Sequence, residues 1–265
     1  HTPDKNIAVE NDHLYDLASL TKILASVPLL MDLVEKNEIS LESKLGDLLP
    51  EYKNSNKANI PLKRLLSHYA GFKAWIPFYT NTLDKSTKKP SAQYYRDTPD
   101  TLFTKVVTEK LYMRRDLEDS IQQIILESEL SRPVKYLYSD LPYYILKKYF
   151  EDHYKEPMEQ LVQNKFYEAL GANTLTYLPT LRFPLNRITP TEDDKDFRHQ
   201  KVHGFVHDQG AAMMGGVGGH AGLFGNANDV AKVMQLYLQN GFYGGKRYFK
   251  PETVEAFNTC YYCEN

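Results

Sequence analysis

Cysteine, tryptophan and unbalanced charge are all scarce in this sequence. Two cysteines and one tryptophan occur in 265 residues, and the formal net charge is −2. So neutral a chain carries no broad field to gather nucleic acid or anionic lipid. Tyrosine is abundant, with 20 residues, yet without a basic surface it offers no nucleic-acid platform. No apolar run approaches the roughly 18 residues of a membrane span, so no transmembrane segment is predicted. Cys260-Tyr-Tyr-Cys263 has neither the βαβ surroundings of a redox pair nor two further soft ligands for zinc. The two read as unrelated thiols and say nothing of compartment. Alternating β-branched runs are also few.

What is present is ordinary for a globular chain, 42% hydrophobic and 25% charged. The length allows one large domain or two small ones with a sizeable core. His1-Thr-Pro-Asp4 reads as the middle of a polar loop, so the chain is expected to be part of a longer protein.

Helical patterns dominate. Leu20, Ile23, Leu24, Val27, Leu30, Met31 and Val34 recur at the three-and-four spacing of one apolar face, predicting a helix over 19–35. Pro28 should kink it or remove a backbone bond. Further helices are predicted over 61–68, 100–112, 116–130, 140–153 with Asp140 as cap, 157–170 and 229–239 with Gly241 as its stop. Residues 79–98 carry loop signals. No internal repeat is present.

Ser19-Leu-Thr-Lys22 has the form S-x-x-K. Residues three apart on a helix share a face, so hydroxyl and amine come within hydrogen-bonding reach. Burial disfavours an ammonium, and a neutral amine can take the serine proton. A helix start also places the positive end of the dipole behind the nucleophile. The pattern alone is weak, since roughly one chance match is expected in a chain this long. Ser86-Thr-Lys-Lys89 is such a match, in a polar proline-flanked loop where a solvated lysine would be no base. Context chooses Ser19.

Tyr138-Ser-Asp140 precedes a predicted helix. Alone, it reads as a helix cap after a core tyrosine. It also resembles the Y-x-N element of class C β-lactamases and related peptidases, with aspartate in place of asparagine. Leu141 stands where the S-D-N of class A enzymes needs asparagine. A carboxylate near Lys22 favours the ammonium form, so the base role is expected to be shared with Tyr138.

Four segments then agree, in order, with one family. Leu14-Tyr-Asp-Leu-Ala-Ser19-Leu-Thr-Lys22 resembles the nucleophile segment of serine β-lactamases and penicillin-binding proteins. Leu65-Leu-Ser-His68-Tyr-Ala-Gly71 is similar to their L-L-x-H-x-S-G, with alanine for serine. Tyr138-Ser-Asp140 follows, and Gly219-His-Ala-Gly-Leu-Phe224 with Asp229-Val-Ala resembles G-G-L-x-S-x-x-D-L-A. The resemblance implies an α+β fold, an antiparallel sheet flanked by helices plus an all-helical subdomain at about 60–170, in a single domain truncated at both ends with its sheet incomplete. The family's third element, K-T-G or H-x-G on a strand, is expected beyond Asn265. His220-Ala-Gly222 fits by letters but lies in a glycine-rich segment before a helix, and Lys44-Leu-Gly46 comes too early.

The resemblance implies a serine hydrolase that forms an acyl-enzyme on Ser19 and acts on D-alanyl peptides, β-lactams or small esters. Lys22, Tyr138 and Asp140 would be its other catalytic residues. Gly219, His220, His68 and Trp75 would be substrate-binding, although His68 reads equally as structural, and the sequence does not decide whether Trp75 lines a cleft or packs. No cofactor or metal is implied. The partner is a small-molecule or peptide substrate, a further catalytic domain is possible in the full-length protein, and the location is periplasmic or extracytoplasmic, in bacteria. The alternative is a non-catalytic binding or scaffolding module attached to a cell-wall or glycoside hydrolase. Two other signals are set aside. Gly216-Val-Gly-Gly-His-Ala221 fits a dinucleotide pattern, but no strand precedes it, no helix opens on its last residues and no acid sits about twenty positions later. His199, His203 and His207 have helical ligand spacing beside Asp208, but Gly204 breaks a helix and the neighbours read as extended chain, so loop packing and cleft lining are expected.

Overall fold

The computed structural model describes residues 8–263, so the reading of His1-Thr-Pro-Asp4 lies outside the described residues. Most of the chain is helix and loop. A π turn at Lys22–Ser26 leads into α1 (Val27–Glu35), followed by α2 (Leu45–Leu48) and α3 (Leu62–Leu66). Strands β2 (Tyr95–Arg96), β3 (Phe103–Thr108) and β4 (Leu111–Arg114) form an antiparallel sheet in the order β2-β4-β3. Then come α4 (Leu117–Glu127), α5 (Leu141–Tyr154), α6 (Met158–Val162), a second π turn (Gln163–Tyr167) and α7 (Glu168–Leu170). β5 (Pro190–Asp194) pairs with β6 (Gln200–His203), and α8 (Gln209–Met213), α9 (Ala227–Leu238) and α10 (Pro251–Asn258) follow.

Two short pairs complete the sheets: β8 (Phe242–Tyr243) with β9 (Lys246–Arg247), and β1 (Tyr15–Asp16) with β7 (Phe224–Gly225). The β1–β7 pair matters most, because Tyr15 lies opposite Gly225 and Asp16 opposite Phe224. It fastens the segment leading to Ser19 against the glycine-rich segment 200 residues later. One apolar core runs from Leu14 to Val254, with Leu24, Leu29, Leu30, Ile145, Leu146, Phe150 and Leu223 wholly buried.

The predicted helices at 19–35, 61–68, 116–130, 140–153, 157–170 and 229–239 are found with shifted ends. The predicted helix over 100–112 is instead the β3–β4 hairpin. Thr104, Val106, Val107 and Thr108 are β-branched, and Lys110 takes the left-handed conformation (φ 55°) that turns the chain back. The apolar stripe of the first helix is also incomplete, for Leu20 and Ile23 remain 42% and 39% exposed. They lie before and within the π turn, where the 100° step assumed for the stripe does not hold. Cys260 and Cys263 are joined in a disulfide rather than separate; the turn after α10 brings their Cα atoms to 5.7 Å, within bridging range.

Candidate active site

Ser19 is exposed on a tight turn. Ala18 before it has φ 45°, an uncommon conformation for a residue with a Cβ, and its N–H is held by Asp16 Oδ1 at 2.8 Å. Asp16 is itself fixed by the His207 N–H at 2.6 Å, and burial raises its carboxyl above the usual range. The first helical bonds are short-period ones: Leu20, Thr21 and Lys22 each donate to the carbonyl three residues back. In that geometry residues i and i+3 eclipse, so Lys22 stands directly over Ser19.

Lys22 Nζ lies 2.9 Å from Ser19 Oγ, 2.7 Å from Asp140 Oδ1 and 3.3 Å from the His220 carbonyl, with its side chain only 4% exposed. The Tyr138 and Tyr143 ring faces lie 4.9 and 5.4 Å from the same nitrogen. The Tyr138 hydroxyl donates to Ser19 Oγ at 2.8 Å. The expected amine–alcohol–phenol contact is therefore present, with a carboxylate beside the amine.

Asp140 makes no side-chain cap for α5, contrary to the expected capping role; its carboxylate turns to Lys22 instead. Its N–H donates to the Ala74 carbonyl, tying α5 to the strip that carries Trp75. His68, itself at φ 54°, lies behind the phenol, its ring centroid 4.4 Å from that of Tyr138. Nδ1 of His68 accepts the Ser139 N–H at 3.2 Å, and burial followed by the Lys22 charge depresses its pKa, which keeps Nδ1 free to accept. His68 thus packs behind Tyr138 and holds the Ser139 backbone. Trp75 is 58% exposed at the rim of a small recess that Asp140, Tyr144 and Asp208 also line.

Gly219 and His220, expected to bind substrate, are both buried. A Cβ on Gly219 would stand 2.2 Å from the Tyr143 carbonyl oxygen, so only glycine admits this approach. The His220 ring stacks on Tyr144 at 4.2 Å and contacts Asp208 Oδ1 at 2.9 Å. What reaches the site is its carbonyl, a contact no side-chain pattern advertises. Asp208, which sequence reasoning placed only beside a histidine series, caps α8 through the Ala211 N–H. The histidines disperse. His199 and His203 meet the Lys88 and Ile188 carbonyls, while His207 faces Glu192. The decoy Ser86 is folded onto Asp84, and both it and Lys89 are exposed. Among the described residues no group of acids, histidines or cysteines is placed to hold a metal, and no helix is long and apolar enough to cross a membrane.

Comparison with known proteins places the chain in a family. The Beta-lactamase family model matches residues 3–254. A protein of Escherichia coli K12 that bears the name "Putative D-alanyl-D-alanine carboxypeptidase" is 31% identical over 264 residues, covering 93% of this chain and 55% of that protein. A Salmonella agona protein of the same name is 29% identical, with 95% and 57% covered. The chain spans about half the length of the curated relatives it matches. Among solved structures, a class C β-lactamase of Rhodobacter sphaeroides superposes with TM-score 0.61 at 18% identity, covering 97% of this chain and 59% of its own. A "Beta-lactamase/D-alanine Carboxypeptidase" of Yersinia pestis gives 0.58 at 20% identity, covering 89% and 56%. At such identities the structures speak for the fold, which is the β-lactamase and penicillin-binding-protein fold the sequence predicts. With the match spanning nearly its whole length, the chain belongs to the β-lactamase family of serine hydrolases.

Proposed function

We propose that the site performs acyl transfer through Ser19. The observation that carries this reading is the position of Ser19 Oγ, 2.9 Å from Lys22 Nζ and 2.8 Å from the Tyr138 hydroxyl, beside a Ser19 N–H with no acceptor among the described residues. Oγ attacks a carbonyl carbon as its proton passes to the Lys22–Tyr138 pair, which must already have shed one proton. The carbonyl electrons move to oxygen, and the Ser19 N–H is one donor to that oxyanion. The intermediate collapses, the leaving amine or alcohol takes a proton from Tyr138, and an acyl-serine ester remains. Water attacks the ester, its proton enters the same pair, and Ser19 recovers its hydrogen.

The names of the relatives support D-alanyl peptides as substrates, and the fold is equally consistent with β-lactams and small esters. Such substrates go with a periplasmic or extracytoplasmic setting. Intact-mass analysis of the full-length protein after a fluorophosphonate or a penicillin tests the proposal. One adduct, mapped to Ser19 and lost in Ser19→Ala, is expected; absence of any adduct refutes it. The Lys22–Asp140 contact favours the alternative of a non-catalytic module, because a carboxylate 2.7 Å away engages Lys22 Nζ where the family's Y-x-N element has asparagine. The same experiment separates the two readings.

A further inference from the structure

The π turn after Lys22 is not incidental to the site. In a regular helix Val27 N–H would donate to Ile23 O; here it donates to Lys22 O, five residues back. Ile23 O is left to another donor, and it receives the Tyr237 hydroxyl from α9 at 2.6 Å. Pro28 has no N–H to offer Leu24 O, four residues before it, and Leu24 O receives the Tyr167 hydroxyl from the second π turn at 3.0 Å. Two successive carbonyls that the helix leaves over are thus each taken by a phenol from a remote element. A third tie comes from Ser26, whose hydroxyl donates to the Gly219 carbonyl at 2.7 Å, one residue from the carbonyl that touches Lys22.

The consequence falls on the nucleophile pair. Tight i→i−3 bonds at Leu20–Lys22 eclipse the serine and lysine, and such winding carried onward would rotate the apolar face of α1 out of the core. The widened turn absorbs the excess, so that Pro28 to Met31 are buried while Lys22 keeps its place over Ser19. We infer that Tyr167 and Tyr237 are positioning residues: with Pro28 they hold the widened turn and, through it, set Lys22 Nζ on Ser19 Oγ. This rests on the acyl-transfer reading for its kinetic consequence but not for its geometric one.

The test uses the full-length protein and four variants. Tyr167→Phe with Tyr237→Phe keeps the rings and removes both hydroxyls. Pro28→Ala restores a donor to Leu24 O and favours the regular register. Tyr154→Phe is the control, for its hydroxyl binds the same helix beyond the turn, at Asp32 Oδ2, 2.9 Å. Crystal structures and acylation kinetics are read together with thermal midpoints. In the double tyrosine variant and in Pro28→Ala, the Val27 bond should move to Ile23 O and the Lys22–Ser19 contact should lengthen. Acylation should fall roughly ten- to a hundredfold at nearly constant KM, the loss expected for a reacting group displaced by up to about 1 Å. Pro28→Ala should do so without losing stability, and Tyr154→Phe should lose stability without losing rate. If both altered turns keep the five-residue bond and the 2.9 Å contact, the inference is overturned whatever the rates. If the wild type forms no acyl-serine, the acyl-transfer reading fails while the crystal structures still decide this one.

Discussion

Replacing Asp208 by asparagine should remove a stabilisation that belongs to a definite pH window. Burial pushes the Asp208 carboxyl upward, but the adjacent His220, the Ala211 N–H and the Lys22 charge together outweigh it and hold the group at about 2, against an ordinary value of 3.8. A carboxyl depressed on folding contributes stability that is complete above its unfolded value and lost as pH falls through its folded one. The full difference corresponds to about 2 kcal/mol. With 37% of the side chain reaching solvent, screening reduces this to about 1 kcal/mol. Asparagine caps a helix as well as aspartate does, so the variant loses the charge and keeps the Ala211 cap. Urea unfolding at neutral pH should show the wild type more stable by that amount. The gap should shrink below about pH 4, with roughly half gone by pH 3. A gap that is constant from pH 7 to pH 3 would refute the assignment of charge to this carboxylate.

Two further substitutions address the surroundings of the Ser19–Lys22 pair. Asp140→Asn removes the carboxylate 2.7 Å from Lys22 Nζ and leaves that buried amine with weaker partners, so urea unfolding should show a loss of about 1–3 kcal/mol; wild-type stability would show that the contact does not hold Lys22 in place. Gly219→Ala drives a methyl into the Tyr143 carbonyl and should cost about 1–3 kcal/mol in urea unfolding. It should also lower the acylation rate, because the His220 carbonyl that holds Lys22 is on the next residue; wild-type stability would contradict the close packing.

The parts of the site that were legible in the sequence are those carried by side chains on one local element. Ser19 and Lys22 are three apart at the head of an apolar helix, and that context separates them from Ser86 and Lys89. Tyr138 and Asp140 were legible as a triplet before a helix, although the cap expected of Asp140 is replaced by its ion pair. What escaped reading was recruited across the chain through groups every residue possesses. The His220 carbonyl meets Lys22 from 198 positions away, and nothing in His220 as a residue type announces it. Tyr167 and Tyr237 were two among 20 tyrosines. The β3–β4 hairpin was missed for a different reason. Its interior is half exposed, with Phe103, Val107 and Thr108 buried but Thr104 and Val106 open, so no clean alternation marked it as a strand.

Proline is the exception that connects the two levels. Pro28 was visible from the start as a residue that must remove a bond from its helix, and the only open question was who receives the carbonyl it leaves. The structure answers with Tyr167 at Leu24 O, and one residue earlier the five-residue bond of Val27 leaves Ile23 O to Tyr237. A local rule therefore has a non-local solution: the chain can keep the winding that stacks Lys22 on Ser19 only because two distant elements supply the missing donors. On this argument the fold and the nucleophile pair are coupled. A helix free to relax to regular winding would satisfy its own backbone more simply and would carry the lysine away from the serine.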